Sequence, residues 1–289
     1  MWNYANGLFA VALLGATTCS ALAASAGPVD PAITALIPQS IKDAGKIVNY
    51  VNIPNPPMEY QDDSGVLTGF DIDLADALSG ALGLPIENQT TPDFAQLIPS
   101  ILSGRANIVL SGLTDKAERR EKVSFVNYFK SGNQFMILAD SADKYKAVVD
   151  LCGETVVAST GTSYPDVVAG LSESECTSKG KPAINIIGGT STPDQLLQMT
   201  TGRAVAIMMS TEILGYEVEK SDGKYAPLSE PVQNNFYGII FPKDQPEFGQ
   251  AIQKALQTLI DNGTYVSLLN KYGLSVGAVT EATINGGNP

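Results

Sequence analysis

Residues 93–120 read DFAQLIPSILSGRANIVLSGLTDKAERR and join a helix pattern, a strand pattern and a polar cluster. The helical apolar residues stop at Gly104, an apolar strand pattern covers 106–110, and small hydroxyl residues and paired arginines follow it. A similar order recurs at 196–211, LLQMTTGRAVAIMMST. Helix–glycine–strand junctions also recur by chance in α/β proteins, but the repeat favours two α/β units. Because ligands bind beyond the carboxyl ends of such strands, two facing units would enclose a cleft.

The remainder of the chain continues this alternation of strands and helices. Further strands are predicted at 47–51, 154–159, 184–187 and 236–241, and further helices near 74–82, 248–260 and 265–272. Strands separated by helices of this length indicate an α/β fold with parallel strands. Asp71 or Asp73 is expected to cap the helix after Gly69, and Gly83 to end it. We expect the tail after residue 284 to be disordered.

Composition and charge exclude several classes of function. The 289 residues are 44% hydrophobic, so the chain can form a substantial core. Lys and Arg total 18 against 30 Asp and Glu, a formal net charge of −12, which argues against nucleic-acid and anionic-membrane partners. The chain has no histidine, which excludes Ser-His-Asp hydrolysis and His-ligated metals. We expect no metal and no cofactor.

The N-terminus has the features of a secretory signal peptide. Residues 1–26 carry no charged side chain and include an apolar run at 8–16, followed by the small-x-small pattern at 21–23. The run is shorter than the ~20 residues that a membrane-spanning helix needs. Residues 16–18 match a lipid-attachment signal at Cys19 poorly, so we predict export to the periplasm without an anchor.

Two cysteines remain after the signal peptide, Cys152 and Cys176. An even pair in an oxidising compartment predicts a disulfide. Two buried thiols are the alternative, and the Gly- and Ser-rich surroundings argue against them.

The polar cluster after the strand at 106–110 could hold a small anion. Arg119 offers a planar fork that binds a carboxylate through two parallel hydrogen bonds. Ser111 and Thr114 add hydroxyl groups, and Gly112 between them allows close approach to the backbone. An arginine pair on a solvated helix face is the alternative.

A second anion-binding candidate lies at the predicted helix start near Pro165. Thr162 and Ser163 open this helix, and free N–H groups at a helix start attract anions. The alternative is that both residues merely cap the helix.

The stretches GFDIDLADALSGALGLPIE (69–87) and DFAQLIPSILSGRANIVLSGLTDKAERREKVSFVNYFKSG (93–132) resemble the family-3 solute-binding proteins of amino-acid ABC importers. The resemblance rests on Gly-Phe-Asp, on Ser-Gly-x-Thr followed by an arginine, and on the Gly-Thr-Ser helix start. It implies a two-lobed periplasmic-binding-protein (Venus flytrap) α/β fold, in which a mixed or parallel sheet in each lobe is flanked by helices. The implied divisions are a signal peptide at 1–26, lobe 1 at 42–132 and 240–275, lobe 2 at 133–239 and a tail at 276–289. The hinge should lie near 130–134 and 235–239.

The resemblance also implies a ligand site. Arg119 matches the carboxylate-binding arginine, Phe94 an aromatic packed on the ligand side chain, and Ser111, Gly112, Thr114, Thr162 and Ser163 surround the carboxylate.

Three positions depart from the pattern of this family. Ser210 stands where an aspartate usually pairs with the ligand α-ammonium, and Glu212 lies only two residues further on. Asn55 replaces an aromatic that often stacks on the ligand, and Asn52 replaces a common acid. We therefore expect a carboxylate ligand whose α-ammonium is weakly held, displaced or absent, or an amino acid bound through altered contacts.

The implied function is that of an extracytoplasmic substrate-binding protein of an ABC importer. It would bind a small carboxylate-bearing solute, a polar amino acid or derivative, and deliver it to a permease in the inner membrane. We expect a monomer without enzymatic activity. A cyclohexadienyl dehydratase-like enzyme on the same fold is the alternative, and it would need a general acid, for which Glu212 is the candidate.

Overall fold

The computed structural model describes residues 29–287, so the predicted signal peptide and Cys19 lie outside the described residues. The α-helices of this range are α1 Pro31–Ala35, α2 Gln39–Ala44, α3 Phe70–Leu82, α4 Leu97–Leu102, α5 Ala117–Arg120, α6 Tyr164–Glu175, α7 Thr192–Thr200, α8 Thr211–Lys220, α9 Pro246–Asp261 and α10 Thr264–Lys271. Its strands are β1 Ile47–Asn52, β2 Tyr60–Gln61, β3 Leu67–Thr68, β4 Ile86–Thr91, β5 Val123–Leu138, β6 Thr155–Ser159, β7 Asn185–Gly189, β8 Ala206–Ser210, β9 Tyr225–Pro227, β10 Gln233–Pro242 and β11 Thr283–Ile284.

The first lobe is built on a mixed sheet. Strand β1 pairs with β4 in parallel, and alternate residues of β1 are buried, as expected for a strand with one face on the core. The predicted strand at 106–110 is a short extended segment rather than a full strand. It bridges Asn49 through Ile108 and Ile240 through Val109, and so connects β1 to β10.

The second lobe contains a parallel set of strands. Strand β6 lies between β7 and β8 and runs parallel to both. Strand β8 then pairs antiparallel with the second half of β5, and β9 pairs with the end of β5. The molecule therefore has the two-lobed α/β fold.

Strands β5 and β10 run through both lobes. The first half of β5 pairs antiparallel with β10 from Val123–Pro242 to Asn133–Gln233, and the second half pairs with β8. Because these two strands are hydrogen-bonded to each other where they pass between the lobes, they form a two-stranded connection.

Each lobe has its own apolar core. In lobe 1, helix α9 buries Phe248, Ile252 and Leu256 on one face, with the spacing that places residues on one side of a helix. They pack with α3, β5 and α10. In lobe 2, Phe135 and Met208 belong to a separate core around the central strands.

The expected cap of α3 is wrong, whereas Gly83 ends the helix as predicted. Neither Asp71 nor Asp73 caps α3, because the helix begins at Phe70 and Gly69 occupies the cap position. Gly69 has φ of 126°, and a Cβ there would lie 2.2 Å from the Met58 carbonyl oxygen, so the close approach requires glycine.

The C-terminal tail is ordered as far as residue 287. Asn285 exchanges two hydrogen bonds with the Phe125 backbone, and the Gly286 N–H donates to Asn127. The Gly287 N–H donates to Asp115. The prediction of a disordered tail is therefore wrong as far as residue 287, because polar side chains in β5 and at Asp115 hold this segment in place.

Cys152 and Cys176 form the predicted disulfide, which ties the segment before β6 to the end of α6. Cys176 is fully buried in the lobe 2 core. Within 29–287, no helix is long and apolar enough to cross a membrane.

Replacing both cysteines by serine should destabilise lobe 2. The disulfide closes a loop with a sequence separation of 24 residues. Removing such a constraint lowers the free energy of unfolding by about 3.5 kcal/mol on the chain-entropy model. Urea unfolding of Cys152→Ser/Cys176→Ser against the oxidised wild type would measure the loss. A difference below about 1 kcal/mol would show that the disulfide constrains the unfolded chain less than this model requires.

Candidate functional site

A cleft between the two lobes collects most of the predicted ligand-binding residues. Those that line it are Asn55, Phe94, Gly112, Thr114, Arg119, Thr162 and Ser163. Among the described residues, Arg119 is the only charged one in its lining. Ser111 and Ser210 are fully buried and do not line it.

The Arg119 guanidinium is positioned by uncharged groups. Its Nη1 donates to the Thr114 carbonyl oxygen at 2.9 Å, and its Nη2 donates to the Gly161 carbonyl oxygen of the other lobe at 3.3 Å. The guanidinium carbon lies 5.9 Å from the centre of the Phe94 ring. No carboxylate of residues 29–287 forms a salt bridge with Arg119, and burial lowers its pKa from the usual value. The charge is therefore available to an anion from outside the chain.

Backbone donors around the cleft are also free. The N–H groups of Thr114, Thr162 and Ser163 have no acceptor among the described residues. Ser163 precedes the first residue of α6, where helix geometry leaves N–H groups without partners. Ser163 is the N-cap residue and its side chain makes no capping bond, while the Thr162 hydroxyl accepts from the Tyr164 N–H at 3.1 Å. The hydroxyl bond at this turn thus leaves the N–H groups of Thr162 and Ser163 available to a ligand.

Ser111 points away from the cleft. Its hydroxyl donates to Glu59 Oε1 at 2.8 Å and accepts from the Asn52 N–H at 2.9 Å. Glu59 is fully buried and also accepts from Asn55 Nδ2 at 3.0 Å. Its carboxyl group thus connects two predicted site residues from behind the cleft wall.

Glu59 and Asp71 form a buried acid pair that sequence analysis did not find. Asp71 Oδ2 accepts from the N–H of the cleft residue Gly112 and from the hydroxyl of the buried Tyr128. Burial raises the pKa of Asp71 to about 7, and burial and the Asp71 charge raise the pKa of Glu59 well above its usual range. The two carboxyl groups therefore hold a proton between them at neutral pH. The Gly112 N–H is committed to this pair and is not a free donor in the cleft.

Two tyrosines that sequence analysis missed also line the cleft. Tyr237 lies against Gly112, and its hydroxyl donates to Glu212 Oε1 at 2.6 Å. Tyr164 follows Ser163, and its hydroxyl lies beside those of Tyr237 and Ser210. Glu212 itself does not line the cleft. A tyrosine is a common core residue, so neither position carried a local signal.

The rest of the polar lining is uncharged. It consists of Asn52, Ser159, Thr190, Ser191, Thr192 and Gln195. Several of these surround the start of α7, where the Ser191 hydroxyl accepts from the Asp194 N–H and caps the helix. Ser-Thr-Pro at 191–193 is a recognisable helix-start signal and could have indicated this turn.

Contacts across the cleft join the two lobes. Lys116 of lobe 1 forms a salt bridge of 3.1 Å with Asp166 of lobe 2, and the rings of Tyr60 and Tyr216 lie 6.1 Å apart. A Cβ on Gly161 would lie 3.1 Å from Ala95 Cβ, so the two facing loops are in contact. The lobes are thus closed over the cleft.

The acid pair should make stability depend on pH. The pKa of Asp71 is about 7 in the folded protein against an ordinary value of 3.8, so the folded chain binds more protons between these values. The contribution of Asp71 to the free energy of unfolding is then complete below pH 3.8 and is lost as the pH rises through about 7. Asp71→Asn, whose amide donates permanently to Glu59, should flatten the decline in melting temperature between pH 5 and 8. Asp63→Asn, at an exposed position, is the control, and parallel wild-type and Asp71→Asn curves would contradict the shared proton.

Several known proteins are similar to this chain in sequence or in structure. The arginine-binding protein ArgT of Corynebacterium glutamicum is 30% identical over 258 residues, which cover 88% of this chain and 83% of that protein. A mutant of the arginine-binding protein ArgBP of T. maritima is similar in structure, with a TM-score of 0.73 and 28% identity over 84% of this chain and 99% of that one. The ancestral amino-acid-binding protein AncCDT-1, described as a precursor of cyclohexadienyl dehydratase, has a TM-score of 0.72 and 25% identity over 81% and 98% of the two chains.

A family profile matches residues 47–275, which include both lobes and every residue named above in the cleft. The resemblance inferred from the sequence motifs is thereby confirmed. The chain belongs to the bacterial extracellular solute-binding proteins, family 3.

Proposed function

We propose that this protein is the substrate-binding component of an ABC importer and holds a polar amino acid in the cleft between its lobes. The observation that carries the proposal is the Arg119 guanidinium, which lines the cleft without a salt-bridge partner in residues 29–287. Relatives described as arginine- or cystine-binding proteins support an amino acid as the ligand.

The α-carboxylate of the ligand would bind between the lobes. Arg119 supplies two parallel donors, and the free N–H groups of Thr114 and Ser163 supply donors from lobe 1 and lobe 2. One carboxylate would then bond to both lobes at once. Binding would favour the closed form, because only that form brings the donors of both lobes together.

Closure would occur by hinge bending. We propose lobe 1 at 42–132 and 240–275 and lobe 2 at 133–239, with bending at the paired segments of β5 and β10. The closed form would then dock on a permease of the inner membrane, and the protein would act as a periplasmic monomer. The negative surface does not attract an anion from a distance, so capture depends on the local donors.

The cleft favours binding over catalysis. Dehydration of a ring carboxylate would need a general acid within hydrogen-bond reach of the leaving group. No carboxyl group of the described residues lines the cleft, and Glu212 lies behind Tyr237. These contacts support the binding function rather than the dehydratase alternative.

Arg119→Ala should weaken binding of any amino-acid ligand by roughly 2–5 kcal/mol, the usual effect of removing one partner of a buried charge pair. Isothermal titration with L-glutamine and L-arginine measures the loss. Arg105→Ala is the matched control, because Arg105 is exposed and lies outside the cleft lining. Equal affinities of wild type and Arg119→Ala would refute the proposed carboxylate site.

The uncharged lining should favour an uncharged side chain, so we expect L-glutamine to bind more tightly than L-arginine. A guanidinium in the cleft would meet no carboxylate among the lining residues of 29–287. The substitution Asn52→Asp adds a carboxylate to the lining. Because a hydrogen bond to a charged group is worth roughly 1.5–3 kcal/mol, this carboxylate should raise the affinity for L-arginine about ten- to a hundredfold. Titrations with both amino acids test this, with the exposed Asn262→Asp as control. An unchanged ratio of the two affinities would contradict this account of side-chain selection.

A further inference from the structure

Glu212 is a buried carboxylate surrounded by hydroxyl groups. Tyr237 Oη donates to its Oε1 at 2.6 Å, and Ser131 Oγ donates to its Oε2 at 2.8 Å. Thr211 adds a longer bond of 3.3 Å. No lysine or arginine within 29–287 forms a salt bridge with Glu212. Hydroxyl donors offset part of the cost of burying this carboxylate, and a cation from outside the chain would offset more of it.

The bond from Tyr237 fixes what this residue offers to the cleft. A phenol has one proton, and the proton of Tyr237 is committed to Glu212. Burial and the Glu212 charge raise the pKa of Tyr237 well above 10, so the hydroxyl keeps this proton at neutral pH. Its oxygen can therefore only accept a hydrogen bond from a ligand, which favours a donor such as an ammonium and disfavours a carbonyl or a second carboxylate.

A second buried group at the same place lacks a partner. The Ser210 hydroxyl is fully buried and has no hydrogen-bond partner of normal geometry among the described residues, although the Tyr164 hydroxyl lies beside it. Buried polar groups are almost always satisfied in folded proteins. An unsatisfied hydroxyl next to the cleft is therefore consistent with a polar ligand group that completes the network.

The hydroxyl network lies on the same side of the cleft as Arg119. Tyr237 lies opposite Thr114, whose carbonyl oxygen holds Arg119, and both cleft tyrosines lie within electrostatic reach of that guanidinium. An α-amino acid has its carboxylate and ammonium on the same carbon atom. A cleft that binds one must therefore place anion and cation sites side by side, as Arg119 and Tyr237 are placed.

We propose that Glu212, acting through the Tyr237 hydroxyl, is the anionic partner of the ligand α-ammonium, so that the cleft takes zwitterionic α-amino acids and rejects their des-amino analogues. This inference rests on the proposed binding function and adds the second half of the ligand backbone. Glu212 is a positioning residue, because Tyr237 makes the contact.

The test compares each amino acid with the same molecule lacking its α-amino group. The probes are L-glutamine with glutaramic acid and L-arginine with 5-guanidinopentanoic acid, titrated calorimetrically into wild type, Glu212→Gln and Tyr237→Phe. Loss of a charged hydrogen bond should lower the affinity for the better-bound amino acid by about 10- to 100-fold in both variants. The affinity for its des-amino analogue should change much less. Glu219→Gln, an exposed acid on the same helix, should change neither.

A rescue variant separates recognition from folding. Ser210→Asp in the Glu212→Gln background places a carboxylate where the unsatisfied hydroxyl now lies, and it should restore most of the amino-acid affinity. A purely structural role for Glu212 would weaken both classes of probe equally and would not be rescued.

Two further outcomes would overturn the inference. One is an unchanged ratio of amino-acid to des-amino affinity in Glu212→Gln, and the other is the absence of binding of either amino acid to the wild type. The Arg119→Ala variant tests the proposed carboxylate site separately from the proposed ammonium site. If it weakens both classes of probe while Glu212→Gln leaves the ratio unchanged, the carboxylate site stands and only the ammonium site is refuted.

Discussion

The cleft depends on one half-buried positive charge that no carboxylate of the described residues neutralises. Arg119 is held by two carbonyl oxygens and an aromatic ring, which fix its orientation without cancelling its charge. One carbonyl belongs to each lobe, so the guanidinium already spans the gap that a ligand would fill. In the proposed function, an anion bound at Arg119 would supply the missing partner, and ligand binding would then depend directly on the relative position of the lobes.

Negative charge lies one layer behind the cleft wall rather than in it. The Asn55 amide and the Gly112 N–H donate backwards to Glu59 and Asp71, and the Tyr237 hydroxyl donates backwards to Glu212. Buried acids thus fix the orientation of these polar groups, because each group donates its hydrogen to an acid behind the cleft wall. Orientation of this kind is set before the ligand arrives, so binding requires little rearrangement of these side chains.

Local sequence patterns predicted much of the fold but only part of the site. The order of strands and helices, the disulfide and the positions of Arg119 and Ser163 follow from short-range signals such as periodicity, cysteine pairing and a helix start. The direction of Ser111 and the burial of Asp71 do not, because both depend on contacts between segments far apart in the sequence. Tyr237 reaches the cleft only because β10 pairs beside Thr114, more than a hundred residues earlier in the chain. The local capping rule predicts Asp71 or Asp73 as the helix cap, but the helix begins at Phe70, where Gly69 packs closely on the Met58 backbone.

The contact between Tyr60 and Tyr216 has a spectroscopic consequence. The only tryptophan of the sequence is Trp2, and residues 29–289 contain none. The near-ultraviolet emission of that part of the chain therefore comes from tyrosines. One of their pairs bridges the two lobes, and two more tyrosines line the cleft. The hinge bending proposed above would alter the surroundings of these rings, so tyrosine emission would report the conformation of the part of the chain that lacks Trp2.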